Sequence, residues 1–161
     1  MGYTHYYPIN TNSPEWKAIW PQLIDNVHKI ISRSGVHVSG PDEGHDGEEI
    51  PPPIVDVNED TYLNGVGYDG YQPFVIGRKG YPGCTKTVRK PYDVVVTCIL
   101  LRAYMLAPSA CGIGSDGFWI ELKAARSLYE GLFGEKPKSR NERSQSIRYI
   151  ALTVSRAWER F

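Results

Sequence analysis

The run from Val94 to Leu106 constrains this chain most, being apolar but for Thr97 and Arg102. It is too short, and carries a charge too many, to span a bilayer. It reads as a helix buried inside a folded domain, opened by Pro91 and ending at about Ala107. No membrane partner is expected.

The elements around it follow from spacing. Gly2 to Ile9 alternates as a strand, with Tyr3, His5, Tyr7 and Ile9 on one face. Ser13-Pro14-Glu15-Trp16 is a helix start, Ser as cap and Pro at the first helical position. Trp16, Ile19, Trp20, Leu23, Ile24, Val27, Ile30 and Ile31 then recur at helical spacing. Pro21 should kink this helix, and Gly35 should end it. Val36–Val38 and Ile54–Val57 are strand-like. Thr61–Val66 and Gln72–Gly77 read as a hairpin around Gly67-Tyr68-Asp69-Gly70. Residues 78–90 read as irregular and basic, and should meet the hairpin near one end of the sheet. Ser115-Asp116-Gly117 opens a further helix through Trp119, Leu122, Leu128 and Leu132, closed by Gly134.

Strands come first and helices later, with hairpin rather than βαβ spacing. The expectation is an α+β fold: one antiparallel sheet of about four to five strands packed by three to four helices. With 161 residues the chain suits a single domain, 1–161. Within it, residues 39–53 read as a mobile acidic loop containing Asp42, Glu43, Asp46, Glu48 and Glu49. Residues 139–161 read as a C-terminal helix with the stripe Ile147, Ile150, Ala151, Val154, Ala157, Trp158 and Phe161. That helix would pack on the domain or mediate self-association as a homo-oligomer.

Charge narrows the partners. Lys plus Arg and Asp plus Glu each total 18, for a formal net charge of zero. Duplex nucleic acid demands a basic excess, so small molecules and proteins are the expected partners. Cys84, Cys98 and Cys111 form an odd set without CxxC spacing, which points to reduced thiols and a cytoplasmic location. The N-terminus lacks the apolar stretch of a secretory signal.

The sharpest chemical signal lies in Cys84-Thr85-Lys86-Thr87-Val88-Arg89-Lys90-Pro91-Tyr92-Asp93. Three cations and two hydroxyls precede a helix start, whose unpaired N–H groups favour anions. Lys86, Arg89 and Lys90 would hold phosphate, and Thr85 and Thr87 would donate hydroxyls. Tyr68, Tyr71 and Tyr92 would stack a base. Asp93 should cap or buttress the helix, or pair with a cation. The bland alternative is that these cations are solvated or paired with the acidic loop. No GxxxxGK[ST] is present, so nucleotide hydrolysis lacks its usual loop. Gly65, Gly67 and Gly70 serve a turn rather than a dinucleotide fingerprint, because no helix follows them. His5, His28, His37 and His45 form no metal pattern, and neither metal nor cofactor is expected. Cys84, His5, Asp69 and Asp116 are the candidates an enzyme reading would use, yet they offer no readable acid–base pair, so no catalytic residue is assigned.

Gly2-Tyr3-Thr4-His5-Tyr6, Leu63-Asn64-Gly65-Val66-Gly67 with Pro73-Phe74, Lys86-Thr87-Val88-Arg89-Lys90-Pro91-Tyr92-Asp93, and Ser115-Asp116-Gly117 with Trp119 resemble small bacteriophage and bacterial proteins. The resemblance covers the chain to about Gly134 and implies a context rather than an activity. Such proteins have an Asp-Ser-His-Glu-like turn where this chain has Asp69-Gly70-Tyr71-Gln72, so a His–Glu pair there is absent here. Small phage proteins often counter host defence, some by sequestering cyclic or ADP-ribose-derived signals. The expectation is a non-catalytic binder of a small phosphorylated ligand, anti-defence in role. A protein that binds a host factor, or a nucleotide-processing enzyme, are the alternatives.

Overall fold

The computed structural model describes residues 3–41, 49–77 and 83–138. The C-terminal helix expected over 139–161, and residues 42–48 of the acidic loop, lie outside the described residues.

Ser13 starts the first helix as its spacing requires. Its Oγ accepts from the Glu15 N–H at 3.2 Å, Pro14 takes the first helical position, and Gly35 closes the helix at φ 70°. Helix α1 (Pro14–Ser34) continues through Pro21. It buries Trp16, Trp20, Leu23, Ile24, Val27 and Ile30 along one face. Each such side chain contributes about 1.5–3 kcal/mol by leaving water. Helix α2 (Asp93–Leu106) buries every residue from Val95 to Leu101. An apolar circumference of that kind needs neighbours on all sides. It has them in α1 and in α3 (Lys123–Phe133), which follows a 3₁₀ turn over 119–122 and ends at Gly134, φ 68°. Among the described residues, no helix is long and apolar enough to cross a membrane.

The fold is α+β and its strands are antiparallel, but among the described residues the expected single sheet is two. Strand β1 (Thr4–Tyr6) is central in one sheet, between β5 (Cys84–Lys86) and β6 (Gly114–Ser115). In that sheet His5 lies opposite Thr85 on one side and Ser115 on the other. The second sheet has the order β2 (Val38–Ser39), β3 (Thr61–Gly65), β4 (Phe74–Ile76). Its β3–β4 pair is the expected hairpin, with Leu63 opposite Phe74. Short strands explain the division: apart from the five-residue β3, each strand has two or three residues, too few to carry a continuous sheet across the helices. Both sheets share one core, in which the Tyr7 ring meets the Phe74 ring at 5.3 Å.

Candidate functional site

The segment from Lys86 to Asp93 joins β5 to α2 through a turn that few sequences adopt. Val88 and Arg89 both have positive φ, at 53° and 57°. For a β-branched residue such as Val88 the left-handed conformation costs about 1–2 kcal/mol, so the turn persists only because it is held. The N–H groups of Thr87 and Val88 both donate to the Tyr3 carbonyl, and the Lys90 N–H donates to the Thr87 carbonyl. The Thr87 hydroxyl donates to Asp93 Oδ1 at 2.5 Å.

Asp93 fixes the other end of the turn. Its Oδ1 also accepts from His5 Nε2 at 2.6 Å, with Thr97 Oγ1 3.2 Å from the same nitrogen. The proton on Nε2 is assigned from this carboxylate partner. His5 is only 1% exposed, so a polar cluster sits between the first sheet and α2. Tyr3 and Ser115 extend it, the Tyr3 ring standing edge-on to His5 at 5.1 Å and Ser115 lying opposite His5 in the sheet. Burial first, and then the Asp93 and Glu121 carboxylates, push the Tyr3 hydroxyl above the ordinary tyrosine range.

The eight residues expected to bind a ligand divide into three groups. Thr85, Thr87 and Tyr92 are fully buried. The Thr85 hydroxyl lies 2.6 Å from Tyr7 Oη, and the Tyr92 hydroxyl donates to the Gln72 carbonyl at 2.7 Å. These three side chains hold the fold together, and in this conformation Tyr92 has no free face for a base. Lys86, Lys90, Tyr68 and Tyr71 do come together at the hairpin. Lys90 Nζ donates to the Tyr68 carbonyl at 2.6 Å, and Lys86 Nζ stands 5.7 Å from the Tyr71 ring centre. Tyr68 is 94% exposed, on a 3₁₀ turn over 67–69. Asn64 fixes the backbone of Tyr71, accepting its N–H and donating to its carbonyl.

Arg89 goes the other way. Its guanidinium lies 4.6 Å from the Tyr3 ring centre, and Nη2 donates to Glu121 Oε1 at 2.8 Å. Glu121 Oε2 accepts from the Phe118 N–H at 2.6 Å. That backbone bond, and then Arg89, hold the Glu121 carboxyl below the usual carboxylate range. Glu121 had no signal in the sequence, being one acid in a helical stretch.

Of the residues an enzyme reading would use, Cys84 and Asp116 lie near Tyr6 on the first sheet, while His5 and Asp69 are placed apart from them. His5 is buried against Asp93, Asp69 is exposed on the hairpin turn, and Asp116 Oδ2 accepts from the Thr4 N–H at 3.1 Å. Cys84 is exposed, whereas burial pushes the Cys98 and Cys111 thiols up to about 12. Among the described residues no three His, Cys, Asp or Glu side chains are grouped to hold a metal. No protein-family model, curated protein or solved structure matches the chain.

Proposed function

We propose that the chain binds a small phosphorylated ligand without transforming it, at the rim where Lys86 and Lys90 meet Tyr68 and Tyr71. One observation carries this reading. Among the described residues, neither lysine faces a carboxylate at ion-pair distance, although both stand beside exposed tyrosines. A carbonyl satisfies one N–H of Lys90 but leaves its charge uncompensated, and phosphate is the natural counter-charge for a lysine at such a rim. The rings of Tyr68 and Tyr71 offer faces to a base, each stack contributing about 1–3 kcal/mol. A nucleotide-type ligand combines both groups. With the phage-protein resemblance, the wider reading is sequestration of a nucleotide-type immune signal in the host cytosol.

Calorimetry against cyclic nucleotides and ADP-ribose derivatives tests this. Binding should occur, the bound compound should be recovered unchanged by chromatography, and Lys90→Ala should weaken affinity about ten-fold. Silence across the panel, or full affinity in Lys90→Ala, removes the site. Turnover of the bound compound would favour an enzyme.

A second reading, a protein partner, has its own support. Phe118 and Ile120 are exposed at 44% and 75%, beside the Arg89–Glu121 pair. Apolar side chains presented together in this way suit a protein contact. Retention of a stoichiometric host protein in a pull-down, abolished by Ile120→Asp, would favour it.

A further inference from the structure

We infer that Gln72 selects the base of the bound nucleotide, favouring one that presents an edge of acceptors, as guanine does with O6 and N7, over adenine. This rests on the reading that a phosphorylated ligand binds beside Lys86 and Lys90, and it names the base that goes with the phosphate.

The hydrogen-bonding groups held in place at the rim are donors. The Tyr68 carbonyl accepts from Lys90 Nζ, and the Tyr71 carbonyl accepts from Asn64 Nδ2 at 3.0 Å. The Gln72 carbonyl accepts from the Tyr92 hydroxyl, and the Lys86 carbonyl accepts from the Gln72 N–H at 3.3 Å. All four backbone acceptors are thus engaged inside the protein. The Gln72 side chain completes the pattern, because its Oε1 accepts from the Lys86 N–H at 2.9 Å. A main-chain N–H can only donate, so the orientation of this amide is forced: the oxygen meets the strand and the nitrogen does not. Gln72 is exposed, and among the described residues its Nε2 has no partner. Its neighbours are Tyr71, next in the chain, and Lys86, whose ammonium stands 5.7 Å from the Tyr71 ring centre.

A glutamine with both ends free reads adenine by taking its amino group on the oxygen and giving to N7 from the nitrogen. With its oxygen held, Gln72 can only give. A base stacked on Tyr71 then meets donors from Gln72 and Lys86. The O6 and N7 of guanine accept both, whereas the amino group of adenine is left facing a donor and unpaired. The Asp69 carboxylate is exposed on the neighbouring turn and is an acceptor, so the test must separate the keto edge of guanine from its amino group.

Titration calorimetry with cyclic GMP, cyclic IMP and cyclic AMP does this, since the three share sugar and phosphate and cyclic IMP keeps the keto edge without the amino group. Wild type should bind cyclic GMP and cyclic IMP alike, and both about ten-fold tighter than cyclic AMP, the discrimination expected of one matched base edge. Gln72→Glu keeps an oxygen for the Lys86 N–H and turns the free end from donor to acceptor. Its charge weakens all three through the shared phosphate, so the ratio is what is read, and the preference for cyclic GMP should vanish or invert. Gln72→Met removes the donor without adding charge and should bring the three affinities together. Equal affinities in wild type overturn the inference, and so does a preference that survives in Gln72→Met. Cyclic IMP binding as weakly as cyclic AMP overturns it too, because the amino group of guanine would then be what is read. In each of these cases a ten-fold loss in Lys90→Ala, about the size expected of a phosphate contact, keeps the rim as the site. If none of the three nucleotides binds wild type, the rim and the selectivity fall together.

Discussion

Asp93 shows how one side chain can settle the geometry of a corner. Its Oδ1 accepts from both His5 and Thr87, which tie β1 and the left-handed turn to the start of α2. His5, Thr87, Asp93 and Ser115 come from three stretches far apart in sequence, and all but Asp93 are buried. A buried donor left without its acceptor loses the hydration it gave up on folding. Asp93→Ala orphans two such donors at once, so it should cost about 3 kcal/mol of stability. Asp93→Asn keeps the amide oxygen in place and should cost about 1 kcal/mol. Urea denaturation of both variants measures the difference. Equal and small losses would mean that the cluster does not hold the turn.

At the scale of elements, the hairpin shows what a missing side chain allows. Strand β3 ends at Gly65, and the turn folds back so closely that a Cβ there would overlap the backbone carbonyl of Asp69. Gly65→Ala must push the 3₁₀ turn away from the strand, at about 1–3 kcal/mol of overpacking. Since Tyr68 and Tyr71 ride on that turn, the same variant should lose ligand affinity while Val57→Ala, on the surface, does not. Thermal melting paired with calorimetry separates the two effects. The hairpin was legible because its alternation is long and its turn residues are Gly and Asp. The three-residue strand β5 was not: Cys84-Thr85-Lys86 is too short to show a period, and its partner β1 lies 80 residues earlier. The helix starts and stops at Ser13, Gly35 and Gly134 were legible because capping is local. Which strands share a sheet is not local, hence one sheet expected and two found. The same limit applies to the site. A run of cations could be read, but not that Thr85, Thr87 and Tyr92 would spend their hydroxyls inside the protein, nor that Glu121 would cross to Arg89.

Across the whole molecule, the two sheets are coupled where α2 begins. Gln72, just before β4, exchanges bonds with Lys86 at the end of β5: its N–H donates to the Lys86 carbonyl, and its Oε1 accepts the Lys86 N–H. The Tyr92 hydroxyl donates to the Gln72 carbonyl at 2.7 Å and lies 3.4 Å from the Lys86 carbonyl, and its ring is buried in the shared core. One side chain at the foot of the central helix therefore touches the second sheet's hairpin and the first sheet's edge strand together. Tyr92→Phe keeps the ring and removes only that bridge, leaving the Gln72 carbonyl to find another donor. The expected loss is about 1 kcal/mol, a typical net value for one hydrogen bond. Its distribution is more telling than its size. Hydrogen exchange should quicken at the Gln72 and Lys86 amides, on two different sheets, while amides in the middle of α2 keep their protection. Because Lys86 and Tyr71 flank these same backbone groups, ligand affinity should fall with the bridge. Faster exchange in one sheet alone would show that the sheets respond separately, and that the rim between them is not a single unit.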